Sequence, residues 1–255
     1  MFFTLKFTKK SLAVICLVIL GIISIIVLGS GGYHVVFSGK TTRKLPIYSV
    51  ERQDKKIAIS FDCAWGVDYT DKLLEIMEAN DVKCTFFAVE FWAKKHPDYL
   101  RKISEHGHEI GTHSSTHPYM SKLSKDAIIK ELTSSISAIE SVINKKVTLF
   151  RAPYGDYNDS LIETASNLGL FTIQWDVDSL DWKDLAKEQI TKRVVEKTSS
   201  GSIVLFHNQG KNTALALDGI IKTLKQKGYE FVSIGELIHK ENFYVSSDGR
   251  QYKIS

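Results

Sequence analysis

Two histidines four residues apart, His113 and His117, stand in the stretch HSSTH and have the chemistry of metal ligands. Neutral imidazoles beside a carboxylate are a common ligand set for zinc and other divalent cations. The same spacing also suits two histidines on the surface of a helix. Because Gly107, Gly111 and Pro118 surround the pair, a turn is favoured over a long helix. We therefore predict that the pair binds a metal if other polar groups meet it.

Asp62 and Arg151 have the chemistry of a general base and of the cation that supports it. Asp62 follows the apolar run IAISF, where it could instead cap a helix. A carboxylate is a base only while it is ionised, and a neighbouring guanidinium keeps it so. Arg151 opens the stretch RAPYG, where it could also pair with a surface acid. In the same stretch, Tyr154 could lend its backbone N–H to an oxyanion.

His207 is a candidate general acid. It follows the apolar run SIVLF, where a buried structural histidine is the alternative. An acidic partner would raise its pKa towards proton donation, and Asp181 in the stretch WDVDSLDW is our candidate. In that stretch Trp175 is expected in the core, whereas Trp182 could form an aromatic wall against a substrate.

Seven short β-prone runs alternate with helical patterns between residues 57 and 234. The runs are IAISF at 57–61, CTFFAV at 84–89, HEI at 108–110, TLFR at 148–151, FTIQW at 171–175, SIVLF at 202–206 and YEFVSI at 229–234. Apolar residues three and four apart mark helix faces between them, and Gly169 and Gly228 stand where helices should end. This alternation predicts a parallel sheet, and seven units favour an α/β fold of the distorted (β/α)7 barrel type.

The candidate residues all follow predicted strands. Asp62 follows the first strand, HSSTH the third, RAPYG the fourth, DSLDW the fifth and His207 the sixth. In a parallel α/β barrel the carboxyl ends of all strands lie on one face. Residues that are far apart in the sequence should therefore meet in one cleft.

The composition suits one globular domain. Of 255 residues, 44% are hydrophobic and 24% charged, which is enough to bury a substantial core. The formal net charge is +4, and Lys6, Lys9 and Lys10 near the N-terminus supply three of these charges. Because the remainder is nearly neutral and has no basic stripe, we expect no nucleic-acid partner.

The uncharged apolar run at residues 11–28 predicts one N-terminal transmembrane helix. The lysines in residues 1–10 favour a cytoplasmic N-terminus, which makes the chain a single-pass protein of the cell membrane with its main domain outside. A cleaved signal peptide, and hence a secreted domain, is the alternative. We expect a linker over residues 29–54, the main domain over 55–240 and a polar peripheral tail over 241–255.

Cys63 and Cys84 are the cysteines outside the apolar run. Cys63 follows one predicted strand and Cys84 begins the next, so in parallel neighbours they lie at opposite ends. We therefore expect no disulfide between them.

Five ordered motifs resemble those of the polysaccharide deacetylases, the NodB-homology domain of carbohydrate esterase family 4. They are SFDC at 60–63, HSSTH at 113–117, RAPYG at 151–155, DSLDW at 178–182 and IVLFHN at 203–208. The resemblance covers residues 55–237 and implies removal of acetyl groups from N-acetylated sugars such as those of peptidoglycan or chitin. It also implies a divalent metal, with zinc expected first and cobalt, manganese, nickel or iron as alternatives.

The resemblance further implies a role for each matching residue. It makes Asp62 the general base, His207 the general acid, and His113 and His117 metal ligands. Two further residues support this pair: Arg151 would orient the base, and Asp181 would adjust the pKa of the acid. Trp182 would form a wall of the groove, and Leu205 would line the pocket for the acetyl methyl.

One position departs from the family pattern. The usual first motif carries a second Asp as the third metal ligand, and here that position is Cys63. The stretch FDCAWGVD resembles the first motif of sporulation-associated and clostridial members, in which an acid follows shortly after WG. Asp68 is therefore our candidate third ligand and the Cys63 thiolate its rival. A two-histidine site with weak metal affinity is the third possibility.

Three functions compete at this stage. A membrane-anchored enzyme acting on cell-wall glycan is favoured, because the acid, base and histidine positions of the motifs are all present. A non-catalytic glycan-binding or sporulation scaffold is the alternative if the altered first motif has lost the metal. A membrane protein whose outer part merely spaces its partners would leave these residues unexplained.

We predict that Asp68→Asn loses bound metal and that Cys63→Ala retains it, because a carboxylate is the family's usual third ligand. Elemental analysis of the purified domain measures both variants against the wild type. The opposite order would assign the third ligand to Cys63.

Overall fold

Strands and helices alternate through residues 43–254, the part of the chain that the computed structural model describes. The strands are β1 (Ser49–Val50), β2 (Lys56–Cys63), β3 (Thr85–Ala88), β4 (Glu109–Thr112), β5 (Leu149–Phe150), β6 (Phe171–Thr172), β7 (Val177–Asp178), β8 (Ile203–His207), β9 (Glu230–Phe231), β10 (Phe243–Val245) and β11 (Arg250–Lys253). The helices are α1 (Thr70–Ala79), α2 (Glu90–Lys95), α3 (Pro97–Glu105), α4 (Lys125–Ile143), α5 (Asp159–Asn167), α6 (Lys187–Lys197), α7 (Thr213–Gln226) and α8 (Ile234–Leu237). Each of the seven predicted strand runs overlaps an observed strand.

Strand β2 is the centre of the main sheet, whose order is β6-β5-β4-β3-β2-β8-β7 with β9 also paired to β2. All of these pairs are parallel. The predicted parallel α/β fold is therefore confirmed, in the form of a half-barrel. Its carboxyl ends share one face, as the placement of the motif residues requires.

The two faces of β2 bury different kinds of side chain. Ile59 and Phe61 pack in the large core between the sheet and the helices. Ala58 packs in the smaller inner core, while Ser60 and Asp62 continue that inner row as buried polar residues. Since side chains alternate along a strand, the inner face of β2 changes from apolar to polar towards its carboxyl end.

A short N-terminal segment connects the two flanks of the half-barrel. Ile47 donates its N–H to the carbonyl of Thr172 at 2.9 Å and accepts from the N–H of Gln174 at 2.8 Å. Three residues on, Val50 donates to the carbonyl of Gly201 at 2.9 Å, just before β8. We call residues 46–50 the seam segment, because they form backbone hydrogen bonds with the end of β6 and the chain that follows it, and with the chain before β8.

Two predicted boundaries change as a result. The compact unit begins at Arg43, so residues 43–54 belong to the folded domain and not to a linker. The C-terminal tail is also part of the fold, because β11 pairs with both β1 and β10 and the side chain of Gln251 is fully buried. Both segments are short and polar, and their pairing partners are distant in the sequence, so local patterns did not reveal them.

The predicted N-terminal transmembrane helix at residues 11–28 lies outside the described residues. Within residues 43–254, every helix falls short of the length and apolarity needed to cross a bilayer.

Cys63 and Cys84 are both buried free thiols. In the parallel register of β2 and β3, Cys63 faces Ala88 while Thr85, next to Cys84, faces Ser60. The two cysteines therefore stand at opposite ends of neighbouring strands, as the sequence predicts.

The seam segment leaves no room for a side chain at Gly201. A Cβ there would lie 1.7 Å from the carbonyl oxygen of Val50, and the residue has φ +80°. Gly169 offers a matched control, since it has φ +77° and nothing within 4 Å of its Cβ position. We expect Gly169→Ala to lower the free energy of unfolding by about 1–2 kcal/mol through its left-handed backbone alone.

We expect Gly201→Ala to lower the free energy of unfolding by about a further 1–3 kcal/mol, because the seam segment must move. Urea titration of both variants and the wild type measures the difference. Equal losses in the two variants would mean that residues 46–50 do not hold the half-barrel together.

Candidate active site

A cavity of about 690 Å³ opens at the carboxyl ends of the strands. It is the place where the sequence predicts a cleft. The predicted site residues that line it are Asp62, His113, His117, Tyr154, Trp182, Leu205 and His207. Arg151 and Asp181 are fully buried behind this lining and act through hydrogen bonds to it.

Asp62 and Arg151 form an ion pair in the interior of the half-barrel. Arg151 Nη1 donates to Asp62 Oδ1 at 2.8 Å, and Nη2 donates to Ser60 Oγ at 2.8 Å and to the Gln174 carbonyl at 3.2 Å. The guanidinium also lies 4.1 Å from the ring centre of Phe87. Burial by itself would raise the pKa of Asp62, but the charges of Arg151 and the nearby histidines outweigh it and lower the pKa. Asp62 is therefore an ionised carboxylate at neutral pH.

His113 follows β4 and is almost completely buried. Its Nδ1 lies 2.8 Å from the carbonyl oxygen of Arg151, which can only accept, so we assign the ring proton to Nδ1. Burial lowers the pKa of His113 to about 4, and the ring is therefore neutral. Its bare Nε2 lies 3.5 Å from Asp62 Oδ2. Two atoms with lone pairs thus face each other, an arrangement that a bound cation would stabilise.

His117 completes the histidine pair. Its ring centre lies 4.9 Å from that of His113 in an edge-to-face arrangement. Burial lowers the pKa of His117, and its Nδ1 is a buried atom without a hydrogen-bond partner among the described residues. A backbone φ of +59° and a hydrogen bond from its N–H to Ser114 Oγ at 3.0 Å fix the turn that presents the ring. The donor chemistry of the pair fits a divalent cation.

The structure does not bring either candidate third ligand to the histidines. Asp68 is exposed and its carboxylate accepts a hydrogen bond from Gln209 Nε2. Cys63 packs in the core on the helix side of β2, where burial raises the pKa of its thiol. Within residues 43–254, no group of three or more His, Cys, Asp and Glu side chains is arranged to hold a metal.

The variants Asp68→Asn and Cys63→Ala therefore test whether either residue is the third ligand. If the site has only the two histidines as ligands, both variants should retain the metal that the wild type binds.

His207 and Asp181 form a second pair at the cavity. Asp181 Oδ1 lies 2.8 Å from His207 Nδ1, and its Oδ2 accepts from the His207 N–H at 2.8 Å and from Thr213 Oγ1 at 2.6 Å. Burial alone would lower the pKa of His207, but the hydrogen bond and charge of Asp181, with the charge of Asp62, raise it. The imidazolium is thereby stabilised, with its Nδ1–H held by Asp181 and its Nε2 left for a substrate.

Aromatic and apolar side chains complete the lining. Tyr154 and Trp182 are 58% and 56% exposed, so much of each ring is open to a ligand, while Leu205 is buried on the inner face of β8. Trp175 was expected in the core, but its half-buried ring lines the cavity and lies 5.6 Å from the guanidinium of Arg151.

Sequence reasoning gave no role to several other lining residues, among them Trp65, Asn208 and Gln209. Asn208 and Gln209 directly follow His207 at the end of β8, so their position after a strand was the available signal. Asn208 Nδ2 donates to the carbonyl of Gly66 at 3.0 Å and so anchors the loop that carries Trp65.

Comparison with known proteins agrees with this geometry. Residues 49–173 match the sequence model of the polysaccharide deacetylase family. The chain is 33% identical over 196 residues to a peptidoglycan N-acetylglucosamine deacetylase of Bacillus cereus, with 75% of this chain and 92% of that protein covered. It is 34% identical over 193 residues to the uncharacterized protein YlxY of Bacillus subtilis, with 76% of this chain covered. The chain spans only 60% of the length of YlxY.

A solved structure with the same fold is that of BA3943 from Bacillus anthracis, described as a CE4 family pseudoenzyme. The two chains are 36% identical, with a TM-score of 0.74 and coverage of 76% of this chain and 69% of that one. A mutant of that protein is described as having restored enzymatic activity. Relatives of this chain thus include both a deacetylase and a pseudoenzyme.

We predict that Asp181→Asn lowers the pKa of His207, because the carboxylate that stabilises the imidazolium is removed while the hydrogen-bonding shape remains. NMR titration of the histidine resonances measures the change. Asp184→Asn is the matched control, since Asp184 also lines the cavity but makes no contact with His207. An unchanged pKa in Asp181→Asn would remove Asp181 as the cause.

Proposed function

Because this chain belongs to the polysaccharide deacetylase family, we propose that it removes N-acetyl groups from a cell-wall glycan such as peptidoglycan or from a chitin-like glycan, by metal-dependent hydrolysis. The observation that carries the proposal is the pairing of an ionised Asp62 with a His207 of raised pKa at one cavity. Amide hydrolysis needs both a base for water and an acid for the departing amine. The histidine pair lies at the same cavity.

Asp62 takes the proton of the attacking water in this proposal. The buried ion pair with Arg151 at 2.8 Å keeps the carboxylate ionised and fixes its direction. Arg151 is a positioning residue, because its side chain is completely buried and acts on the reaction through the hydrogen bond to Asp62.

His207 gives a proton to the amine as the C–N bond breaks. Asp181 holds Nδ1–H, so the proton that is transferred leaves from Nε2. Because the acid must be protonated to act, activity should fall as the pH rises through the pKa of His207. Lowering that pKa by Asp181→Asn should move this alkaline limb to lower pH.

His113 and His117 would hold the divalent metal, and their neutral imidazoles suit zinc, cobalt, nickel, manganese or iron. Such a metal supplies a Lewis acid for the acetyl carbonyl. Leu205 supplies an apolar contact for the acetyl methyl, Trp182 an aromatic wall for the sugar, and Tyr154 a backbone N–H for the developing oxyanion. An N-terminal anchor at residues 11–28 would place this site outside the cell membrane, next to its substrate.

A specific observation favours a second candidate, a non-catalytic glycan-binding protein. Cys63 replaces the usual carboxylate and points into the core, and the exposed Asp68 is held by Gln209. A site with two ligands binds a metal weakly, since catalytic zinc sites ordinarily have three protein ligands. The groove would then still bind a glycan, although the chain no longer hydrolyses it.

Acetate release from N-acetylglucosamine oligomers and from peptidoglycan separates the two candidates. We expect release that a chelator abolishes and zinc restores, and a loss of about 10²–10⁴-fold in Asp62→Asn, which has no charged base. Asp98→Asn, at an exposed acid in α3, is the control and should keep full activity. If no glycan releases acetate with any metal while oligomers still bind, the chain is the non-catalytic protein.

A further inference from the structure

Glu131 is a half-buried acid on α4, outside the cavity lining, to which the proposed reaction gives no role. Its carboxylate contacts the turn HSSTH, which carries both histidines of the candidate site. Oε2 accepts hydrogen bonds from the backbone N–H groups of Ser115 at 2.9 Å and of Thr116 at 2.8 Å, and Oε1 accepts from Thr116 Oγ1 at 2.7 Å. One side chain therefore binds two of the residues that separate the two rings.

The turn needs such support because its backbone is strained at two positions. Ser114 has φ +71° and His117 has φ +59°, which is the left-handed region that residues with a Cβ rarely adopt. Such a conformation persists only where surrounding contacts hold it. Ser115 and Thr116 lie outside any strand or helix, so the carboxylate of Glu131 takes the place of the backbone acceptors that a strand or helix would give their N–H groups.

The two histidine rings differ in what fixes them. His113 is held at both ends, since its N–H donates to the carbonyl of Ala88 at 2.9 Å and its Nδ1 to the carbonyl of Arg151 at 2.8 Å. The ring of His117 has no partner for Nδ1 among the described residues, and its backbone N–H bonds within the turn, to Ser114 Oγ. The place of the second ring therefore depends on the turn that Glu131 holds.

We propose that Glu131 is a positioning residue for His117: by holding Ser115 and Thr116 it sets the geometry between the two histidine rings, and with it the affinity of the pair for a divalent metal. That the pair binds a metal rests on the proposed function. Glu131 makes no hydrogen bond to either ring, so its effect passes through the backbone of the turn.

Glu140 on the same helix provides a matched comparison. Its Oε1 accepts the backbone N–H of Val147 at 2.8 Å, so it also holds a loop through a carboxylate. That loop leads to β5 and carries none of the histidines of the site. Loss of either acid should lower the stability of the fold, whereas loss of Glu131 alone should change the histidine pair.

Calorimetric titration of the metal-free full-length protein with zinc chloride tests this inference without catalysis. We expect Glu131→Ala to weaken zinc binding about tenfold or more, as for other residues that orient metal ligands. Glu140→Ala should bind zinc like the wild type, while urea titration shows a loss of stability in both variants.

Two conservative variants separate the reach of the side chain from its charge. Glu131→Gln should bind zinc like the wild type, because the amide oxygen can still accept both N–H groups and the hydroxyl of Thr116 can accept from the amide. Glu131→Asp keeps the charge but is one methylene too short to hold both residues, so it should weaken zinc binding as Glu131→Ala does. It also replaces Glu131→Ala if that variant fails to fold.

NMR of the metal-free variants measures the position of the ring directly. The ring centres of His117 and Tyr154 lie 4.6 Å apart, which is close enough for a nuclear Overhauser effect between their protons. We expect this signal in the wild type, in Glu131→Gln and in Glu140→Ala, and its loss in Glu131→Ala.

Different results overturn different proposals. Wild-type zinc affinity in Glu131→Ala overturns the positioning role, and so does an equal weakening in Glu131→Ala and Glu140→Ala, because the loss would then follow general stability. A wild type that binds no zinc overturns the metal-binding part of the proposed function. The signal between His117 and Tyr154 then decides the positioning role, which stands if Glu131→Ala loses the signal and fails if it keeps it.

Discussion

The buried charge of Arg151 is the constraint on which the rest of the site depends. Burying a guanidinium away from water costs free energy unless a counter-charge balances it and acceptors bind its N–H groups. Here Asp62, Ser60 and the carbonyl of Gln174 accept hydrogen bonds from Nη1 and Nη2, and the ring of Phe87 lies against the plane, while Nε has no partner among the described residues. These partners come from β2, from β3 and from the chain after β6, so one side chain ties three parts of the half-barrel together.

The same residue also connects the base to the histidine pair. Its carbonyl accepts the Nδ1 proton of His113 and so sets which nitrogen of that ring remains bare. Its side chain keeps Asp62 ionised beside that nitrogen. Because the base and the metal-ligand candidate take their orientation from a single position, a small shift at the end of β5 would disturb both.

Much of this arrangement could be predicted from the sequence, because the signal for it lies in short stretches of neighbouring residues. Asp62, Arg151 and His207 each follow an apolar run, and parallel strands bring such positions together. The predicted Asp62–Arg151 and Asp181–His207 pairs are both present. What the sequence could not supply depends on partners distant in the chain. The seam segment, the pairing of β11 and the cavity position of Trp175 arise only when the half-barrel closes. The hydrogen bond that Gln209 makes to Asp68 joins two loops that no periodic pattern relates.

Joining the first and last strands of the domain has a consequence for how the chain reaches its native state. Ser49 pairs with Arg250 and Val50 with Gln251, so the seam segment cannot finish its pairing until residues 250 and 251 have been made. Contacts between such distant residues close large loops and slow the search for the native topology. The pairs that run from β2 to β6 join strands that follow one another in the sequence, so this part of the sheet can form earlier. The flank of the sheet would then stay uncovered until β11 pairs with the seam segment.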